Sequence, residues 1–275
     1  MMDVETPAIK RRSAVMAGIF YPENAEGTAA AIRSFNAAPT GNAAAVLAPH
    51  AGWELAGAVE AAALASAAGR KISTVVLLGP VHDDRERGIF LSDSAIFETP
   101  LGNLAVDAEA NEELESCSTL IEMNDIPHLY EHSLEILLPL VKHFFPAAAI
   151  VPILVGGART AAATALSNAL DVVFGSRTES TLFVVSSNLS EHPLKEAAHT
   201  QEDAFLSLIL EGRYDELPAA VARGEISACG AMAAAALLSS RLAFSWKPRV
   251  RAEASVVSPD DGPDKIVRYT ALSFE

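Results

Sequence analysis

Four short apolar runs constrain the fold more than any other feature of this sequence. Each run ends at or close to a glycine, proline, serine or histidine, and the runs cover residues 44–48, 74–78, 150–154 and 181–185. Continuous apolar runs of this length are typical of strands buried on both faces of a sheet. Stretches of helical composition lie between and after them, at about 55–68, 108–116, 131–145, 160–174 and 194–210. The alternation predicts an α/β fold with a mixed, mostly parallel central sheet flanked by helices.

Two segments depart from this alternation. Gly88–Ser92 and Leu104–Val106 flank a turn at 100–103, which predicts a strand pair. Residues 250–257 and 265–273 repeat the pattern, and we expect both pairs to be antiparallel additions at the sheet edges. Because the sequence shows no repeat or linker, we expect one domain over residues 1–275.

Charge and cysteine content limit the partners and the compartment. The chain carries 35 acidic and 20 basic residues, a net charge of -15, which repels nucleic-acid phosphates and anionic lipids. We therefore expect no nucleic-acid and no membrane partner. Two distant cysteines, and no apolar run near the start that suits a signal peptide, indicate free thiols and a cytoplasmic protein. The oligomeric state stays open.

Histidines follow the apolar runs. Ligands of open α/β sheets bind beyond the carboxyl ends of the strands, so residues just after each run are the first candidates. The first run leads into Pro49 and His50, the second into Pro80 and His82, and the fourth into the segment 186–192. A single loop histidine is usually structural, but two at equivalent strand ends predict a shared site.

Cys229 precedes an alanine-rich segment of helical composition. A thiol near a helix N-terminus favours the thiolate form that nucleophiles and metal ligands require. The alternative is a small buried apolar residue, and the residues alone favour that alternative. Cys117 has no comparable setting.

The segment 128–135 contains His128, Glu131, His132 and Glu135, and we expect it to begin a helix. Spacing of four residues would then place His128 beside His132 and Glu131 beside Glu135. The charged start is either ordinary helix capping or a pair of histidines entering a pocket.

Several common motifs are missing from the sequence. It contains no glycine-rich dinucleotide loop, no Walker-type phosphate loop and no Gly-x-Ser-x-Gly elbow. Nucleotide chemistry therefore lacks support, and Ser186 and Ser187 lack the glycines of a nucleophile elbow.

The order of the short motifs along the chain resembles that of Memo-like proteins. The resemblance spans nearly the whole sequence and rests on the segments 17–22, 48–52, 79–82, 100–107, 131–135 with 138–139, 151–156, 186–190 and 229–230.

This resemblance implies a fold similar to that of class III extradiol dioxygenases. It also implies a metal-binding pocket formed by two histidines and a cysteine, which fall by motif on His50, His82 and Cys229. Two imidazoles with a thiolate suit iron, copper or zinc better than magnesium or calcium.

One segment departs from the pattern of the family. The usual Ser-Ser-Asp-Leu-Ser-His is replaced by residues 186–191, with Asn188 in place of the aspartate and Glu191 in place of the histidine. Either Glu191 or His192 would take the place of the pocket histidine. The unbroken spacing favours Glu191, with His192 facing solvent. Together with His132, these residues are the catalytic candidates.

Three functions are compatible with this sequence. The first is a metal-dependent redox enzyme related to the extradiol dioxygenases. The second is a non-catalytic module that binds a peptide or small-molecule ligand in the same pocket. The third is a structural relic that binds no metal.

Overall fold

A computed structural model describes residues 9–157, 159–190, 195–257 and 266–275. In this part of the chain an eight-stranded sheet has the order β10-β11-β2-β9-β3-β8-β4-β7, and a small sheet has the order β1-β5-β6. The strands are β1 (Arg11–Arg12), β2 (Ala45–Ala48), β3 (Thr74–Pro80), β4 (Gly88–Leu91), β5 (Ile96–Phe97), β6 (Leu104–Ala105), β7 (Ile121–Met123), β8 (Ala149–Gly156), β9 (Thr181–Ser186), β10 (Pro248–Val257) and β11 (Ile266–Phe274).

The centre of the large sheet is parallel, and its flanks are mixed. Strands β2, β9, β3 and β8 run in one direction. Strand β4 runs antiparallel to β8, and β11 runs antiparallel to β2. The predicted fold class is confirmed. Because the four parallel strands end at the same edge, the residues that follow them are brought close together.

Helices cover both faces of this sheet. They are α1 (Ala25–Ser34), α2 (Trp53–Ala65), α3 (Ala108–Cys117), α4 (Leu138–Phe144), α5 (Thr160–Phe174), α6 (Lys195–Leu210), α7 (Leu217–Ala222) and α8 (Ala231–Leu238). The buried side chains form two apolar layers, and successive residues of β3 alternate between them: Val76 lies in one layer and Leu77 in the other. Helices α3, α5, α6 and α8 belong to the first layer, and α2 and α4 to the second.

Helix α8 is buried along its whole length, and most of its residues are alanine. Small side chains allow a helix to approach its neighbours closely, and α8 packs on α5 and on the central strands. This packing brings the start of α8, with Cys229 just before it, to the edge of the parallel strands. Among the helices of the described residues, none is both long and apolar enough to cross a membrane.

The prediction of a strand pair within 88–106 is wrong. Strand β4 lies inside the large sheet between β8 and β7, whereas β6 pairs with β5 in the small sheet. Ile89, Phe90 and Leu91 are all buried, so this run needs partners and packing on every side, which a hairpin at the edge could not supply. The terminal pair, β10 with β11, is antiparallel and lies at one edge of the large sheet, as predicted.

Candidate metal centre

The ends of three neighbouring strands and the start of one helix meet at the carboxyl edge of the parallel strands. His50 follows β2, Asn188 follows β9 and His82 follows β3, and these strands are neighbours in the order β2-β9-β3. Cys229 lies two residues before α8. The structure therefore brings the side chains of His50, His82 and Cys229 together at this edge.

The ring of His50 is held by a serine. Its Nδ1 atom lies 2.6 Å from Oγ of Ser186, and that hydroxyl donates to the carbonyl oxygen of Ser133, also at 2.6 Å. Since the single hydroxyl proton is used in this way, Oγ accepts from Nδ1–H and the Nε2 lone pair of His50 is left for a metal. Burial, reinforced by the charge of His82, lowers the pKa of His50 well below its usual value, so the ring is neutral.

The ring of His82 is held by a carboxylate. Glu131 Oε1 lies 2.8 Å from Nδ1 of His82, and Glu131 Oε2 accepts the backbone N–H of His82 at 2.7 Å. Because Nδ1 donates to Glu131, Nε2 is the ring atom available to a metal. A carboxylate behind a histidine is a common support for metal-binding histidines.

These contacts change the pKa of both partners. Burial by itself would lower the pKa of His82, but hydrogen bonds to Cys229 and Glu131 outweigh it and raise that pKa to about 10. Burial would raise the pKa of Glu131, but the hydrogen bond and charge of His82 lower it to about 2. Without a metal the pair is therefore an imidazolium and a carboxylate, and a metal would replace a proton of His82.

Cys229 is half-buried and faces His50. Its Sγ atom lies 3.3 Å from Nε2 of His50 and accepts the backbone N–H of Asn188 at 3.2 Å. The next residue, Gly230, allows this approach, since a Cβ atom there would lie 2.3 Å from the carbonyl oxygen of Ser186. Cys229 thus lies in the pocket wall, whereas the residues alone favoured a place in the core. Cys117 is exposed.

His132 is a third imidazole in the same cluster. Its ring stacks on His82, with centroids 4.4 Å apart, and on Phe20, with centroids 5.4 Å apart. The ligand atoms of His50, His82 and His132 all lie within 4.8 Å of one another. Burial and the charge of His82 lower the pKa of His132, so its ring is neutral near pH 7. It is a second candidate for the third ligand and can also accept a proton.

The prediction that a helix begins near His128 and places it beside His132 is wrong. The segment forms short 3-10 turns at Ile126–His128 and Glu135–Leu137, and α4 begins only at Leu138. The carboxylate of Glu131 accepts the backbone N–H of Ser133 at 2.8 Å, which holds a turn instead of a helix. His128 is buried elsewhere, with Nε2 3.1 Å from the carbonyl oxygen of Phe90. Only His132 of the two enters the pocket.

The supporting residues of the site are those that sequence reasoning missed. From the sequence, Ser186 is at most a candidate nucleophile, Ser133 has no indicated role, and Glu131 is expected on a helix beside Glu135. A usable signal for Glu131 was its place in the shared segment 131–135, next to His132.

Comparison with known proteins identifies the family. A family model described as "Memo-like protein" matches residues 12–258. The chain belongs to the Memo family. A "MEMO1 family protein" of Aeropyrum pernix is 31% identical over 96% of this chain and 99% of its own length. Another, from Desulfurococcus amylolyticus, is 26% identical over 97% of this chain and 99% of its own length.

A solved structure shows the same kind of fold as this Memo-family chain. The crystal structure of an uncharacterized protein from Escherichia coli K12 matches with a TM-score of 0.53 at 12% sequence identity. The match covers 83% of this chain and 98% of that chain. At this identity the likeness concerns the fold alone, and the expected relation to class III extradiol dioxygenases is consistent with membership of the Memo family.

Asn188 lies at the position for which the family resemblance implies an aspartate. Its Oδ1 atom accepts the backbone N–H of His50 at 3.1 Å, and its own backbone N–H donates to Cys229 at 3.2 Å. A neutral amide oxygen can accept the backbone N–H of His50, so Asn188 still connects the end of β9 to the end of β2 by a hydrogen bond. Glu191 and His192 lie outside the described residues, and the preference for Glu191 stays a prediction.

Proposed function

We propose that this Memo-family protein binds one transition-metal ion through His50, His82 and Cys229 and acts as a metal-dependent redox enzyme. The observation that carries the proposal is the commitment of both Nδ1 atoms, one to Ser186 and the other to Glu131. That commitment makes Nε2 the ligand atom that each ring would offer to a metal, and Cys229 contacts both rings: its Sγ lies 3.3 Å from Nε2 of His50 and it hydrogen-bonds to His82. Two imidazoles and a thiol fit iron, copper or zinc.

A bound ion would supply Lewis-acid or electron-transfer chemistry at this point. The chain itself supplies a proton acceptor in His132, whose neutral ring lies among the ligand atoms and whose side chain is 26% exposed. Glu131 holds His82, and Ser186 holds His50, so both rings keep their orientation while a substrate binds. Glu191 and His192 are additional proposed groups for moving protons.

A cavity beside Cys229 indicates the size of the ligand. It has a volume of about 360 Å³, and its walls include His82, Val155, Ile226 and Met232. Pockets that bind small molecules typically have volumes of about 300–1,000 Å³, and this cavity, whose walls carry both polar and apolar groups, lies near the lower end of that range. The cavity therefore favours a small-molecule ligand over a peptide. It also supports the second candidate function, a module that binds such a ligand without turnover.

Metal analysis tests whether the chain binds a metal, and ligand binding by metal-free protein tests the non-catalytic module. Purified protein should contain close to one equivalent of iron, copper or zinc, and cobalt(II) added to metal-free protein should give a thiolate charge-transfer band. Cys229→Ala should abolish that band, whereas Cys117→Ala, which changes an exposed thiol away from the site, should leave it intact. Absence of stoichiometric metal binding would contradict the proposal. Ligand binding that persists in metal-free protein would favour the non-catalytic module.

A further inference from the structure

We propose that Arg12 is a positioning residue for the metal centre, acting through the segment 128–135. The inference rests on the proposed metal binding. Arg12 is the last residue of β1, and only 4% of it is exposed. Its guanidinium donates hydrogen bonds to backbone carbonyl oxygens and to Glu135, and not to the proposed metal ligands. It lies more than 100 positions before the segment that it binds.

The guanidinium of Arg12 binds both ends of the turn that carries Glu131 and His132. Its Nε donates to the carbonyl oxygen of His128 at 3.0 Å, and Nη2 donates to the carbonyl oxygen of Glu131 at 2.9 Å. Its Nη1 donates to the carboxylate of Glu135. A guanidinium presents five N–H donors in a fixed planar fork, so these three acceptors are held in one geometry.

The contact at Glu131 connects this fork to the metal ligands. Arg12 fixes the carbonyl oxygen of Glu131, and the carboxylate of the same residue binds both Nδ1 and the backbone N–H of His82. His132, which stacks on His82, is the next residue. No helix spans 129–134, so regular helical hydrogen bonds do not hold these residues. Arg12 supplies part of the missing restraint.

Glu135 completes the arrangement from the other side. Its Oε1 accepts the backbone N–H of Met16 at 2.7 Å and the hydroxyl of Tyr21 at 2.6 Å. Segment 12–21 is thereby bound to segment 128–135 by a buried ion pair and by hydrogen bonds that each involve one charged group. Removing one partner of a buried ion pair can prevent folding. The informative variant is therefore Arg12→Lys, which keeps the charge but cannot form the fork.

Arg70 provides a matched control. It is half-buried, and it also binds two backbone carbonyl oxygens, those of Ala43 at 2.9 Å and Thr178 at 2.6 Å. These residues precede β2 and β9, so Arg70 lies at the opposite end of the parallel strands. Arg70→Lys removes a comparable fork without touching the segment 128–135.

The experiment compares wild type, Arg12→Lys and Arg70→Lys in two measurements. The first is cobalt(II) affinity, and the second is the ¹⁵N NMR spectrum of the His82 ring in metal-free protein, which reports its bond to Glu131. We expect Arg12→Lys to weaken cobalt binding by about 10- to 100-fold, the range seen when supports behind metal ligands are lost. We also expect the His82 ring signals to shift. Arg70→Lys should change affinity by less than about twofold and leave those signals in place.

The positioning role would be overturned if Arg12→Lys kept both the wild-type cobalt(II) affinity and the wild-type His82 ring signals. It would also be overturned if Arg12→Lys and Arg70→Lys lost cobalt(II) affinity equally. If the wild-type protein binds no cobalt, the proposed metal function fails. The ring signals of His82 in metal-free protein then still decide whether Arg12 positions that residue.

Discussion

The Nδ1 atom of His50 lies 2.6 Å from the Oγ atom of Ser186, at the ends of the neighbouring strands β2 and β9. Because Ser186 donates its own proton to Ser133, the hydroxyl accepts from His50 and fixes the tautomer of the ring. Nε2 of His50 is then directed toward Cys229, 3.3 Å away. A buried serine at the end of β9 thus fixes the tautomer and orientation that His50 needs to bind a metal through Nε2.

Replacing Ser186 with alanine should weaken metal binding. The variant leaves the Nδ1–H of a buried ring without its acceptor, which should cost about 1–3 kcal/mol of unfolding free energy. Cobalt(II) affinity should fall by about 10- to 100-fold. Ser240→Ala is the control, since that buried hydroxyl donates to the carbonyl oxygen of Leu237 at 2.6 Å, far along α8 from Cys229. Equal affinity in wild type and Ser186→Ala would show that Ser186 does not support the site.

Replacing Gly230 with alanine should displace Cys229. The added Cβ would lie 2.3 Å from the carbonyl oxygen of Ser186 and 2.5 Å from Cβ of Ser187, so the segment before α8 must move away from β9. Overpacking of this kind costs about 1–3 kcal/mol, measurable by urea unfolding. The cobalt–thiolate band should weaken strongly. A full-strength band in a folded variant would mean that the close approach at 230 is not needed.

The stability of the protein should depend on His128 in acid. Burial lowers the pKa of His128 to about 4, from an unfolded pKa near 6.5, so the unfolded chain binds one more proton between those values. Unfolding free energy should therefore fall as the pH drops from 6.5 toward 4. His128→Gln, which can still donate to Phe90, should reduce the slope by about 1.4 kcal/mol per pH unit in that interval. Urea titrations at several pH values measure this slope, and identical slopes would contradict the assignment.

Glu60 should make the protein less stable as the pH rises, whereas His128 makes it less stable as the pH falls. Its side chain is fully buried in α2, Oε1 accepts the backbone N–H of Ala51, and Oε2 has no hydrogen-bond partner among the described residues. Burial raises the pKa of Glu60 well above its usual value, so the folded protein retains a proton that the unfolded chain releases above about pH 4.5.

As the pH rises above 4.5, wild type should lose stability relative to Glu60→Gln, by up to about 1.4 kcal/mol per pH unit. Glu54→Gln, at an exposed position of the same helix, is the matched control for the chemical change itself. Parallel pH profiles of wild type and Glu60→Gln would mean that Glu60 is ionised in the folded state.

The fold was largely predictable because its central strands are continuous apolar runs. Two segments were not. Gly88–Leu91 reads locally as half of a hairpin, but its partners are β8 and β7. The segment 128–135 has helical spacing, yet the carboxylate of Glu131 binds His82 and Ser133. In the first case contacts distant in sequence outweighed local preference, and in the second a distant contact with His82 and a local one with Ser133 did so together.

The same reasoning explains what the sequence revealed of the site. His50 and His82 could be found because they follow buried strands, and Cys229 because of the family resemblance. The roles of their supporting residues could not be assigned, because each acts across the chain: His50 and Ser186 are 136 positions apart, and Arg12 and Glu131 are 119 apart. Only the folded chain shows which of several serines and glutamates lies behind each ring.

Anomalous diffraction from crystals of the metal-loaded protein tests the central claim most directly. We expect a single peak at the absorption edge of the bound metal, about 2.0–2.1 Å from Nε2 of His50 and of His82 and about 2.3 Å from Sγ of Cys229. A peak coordinated by His132 while Cys229 lies beyond bonding distance, or no peak in this pocket, would contradict it.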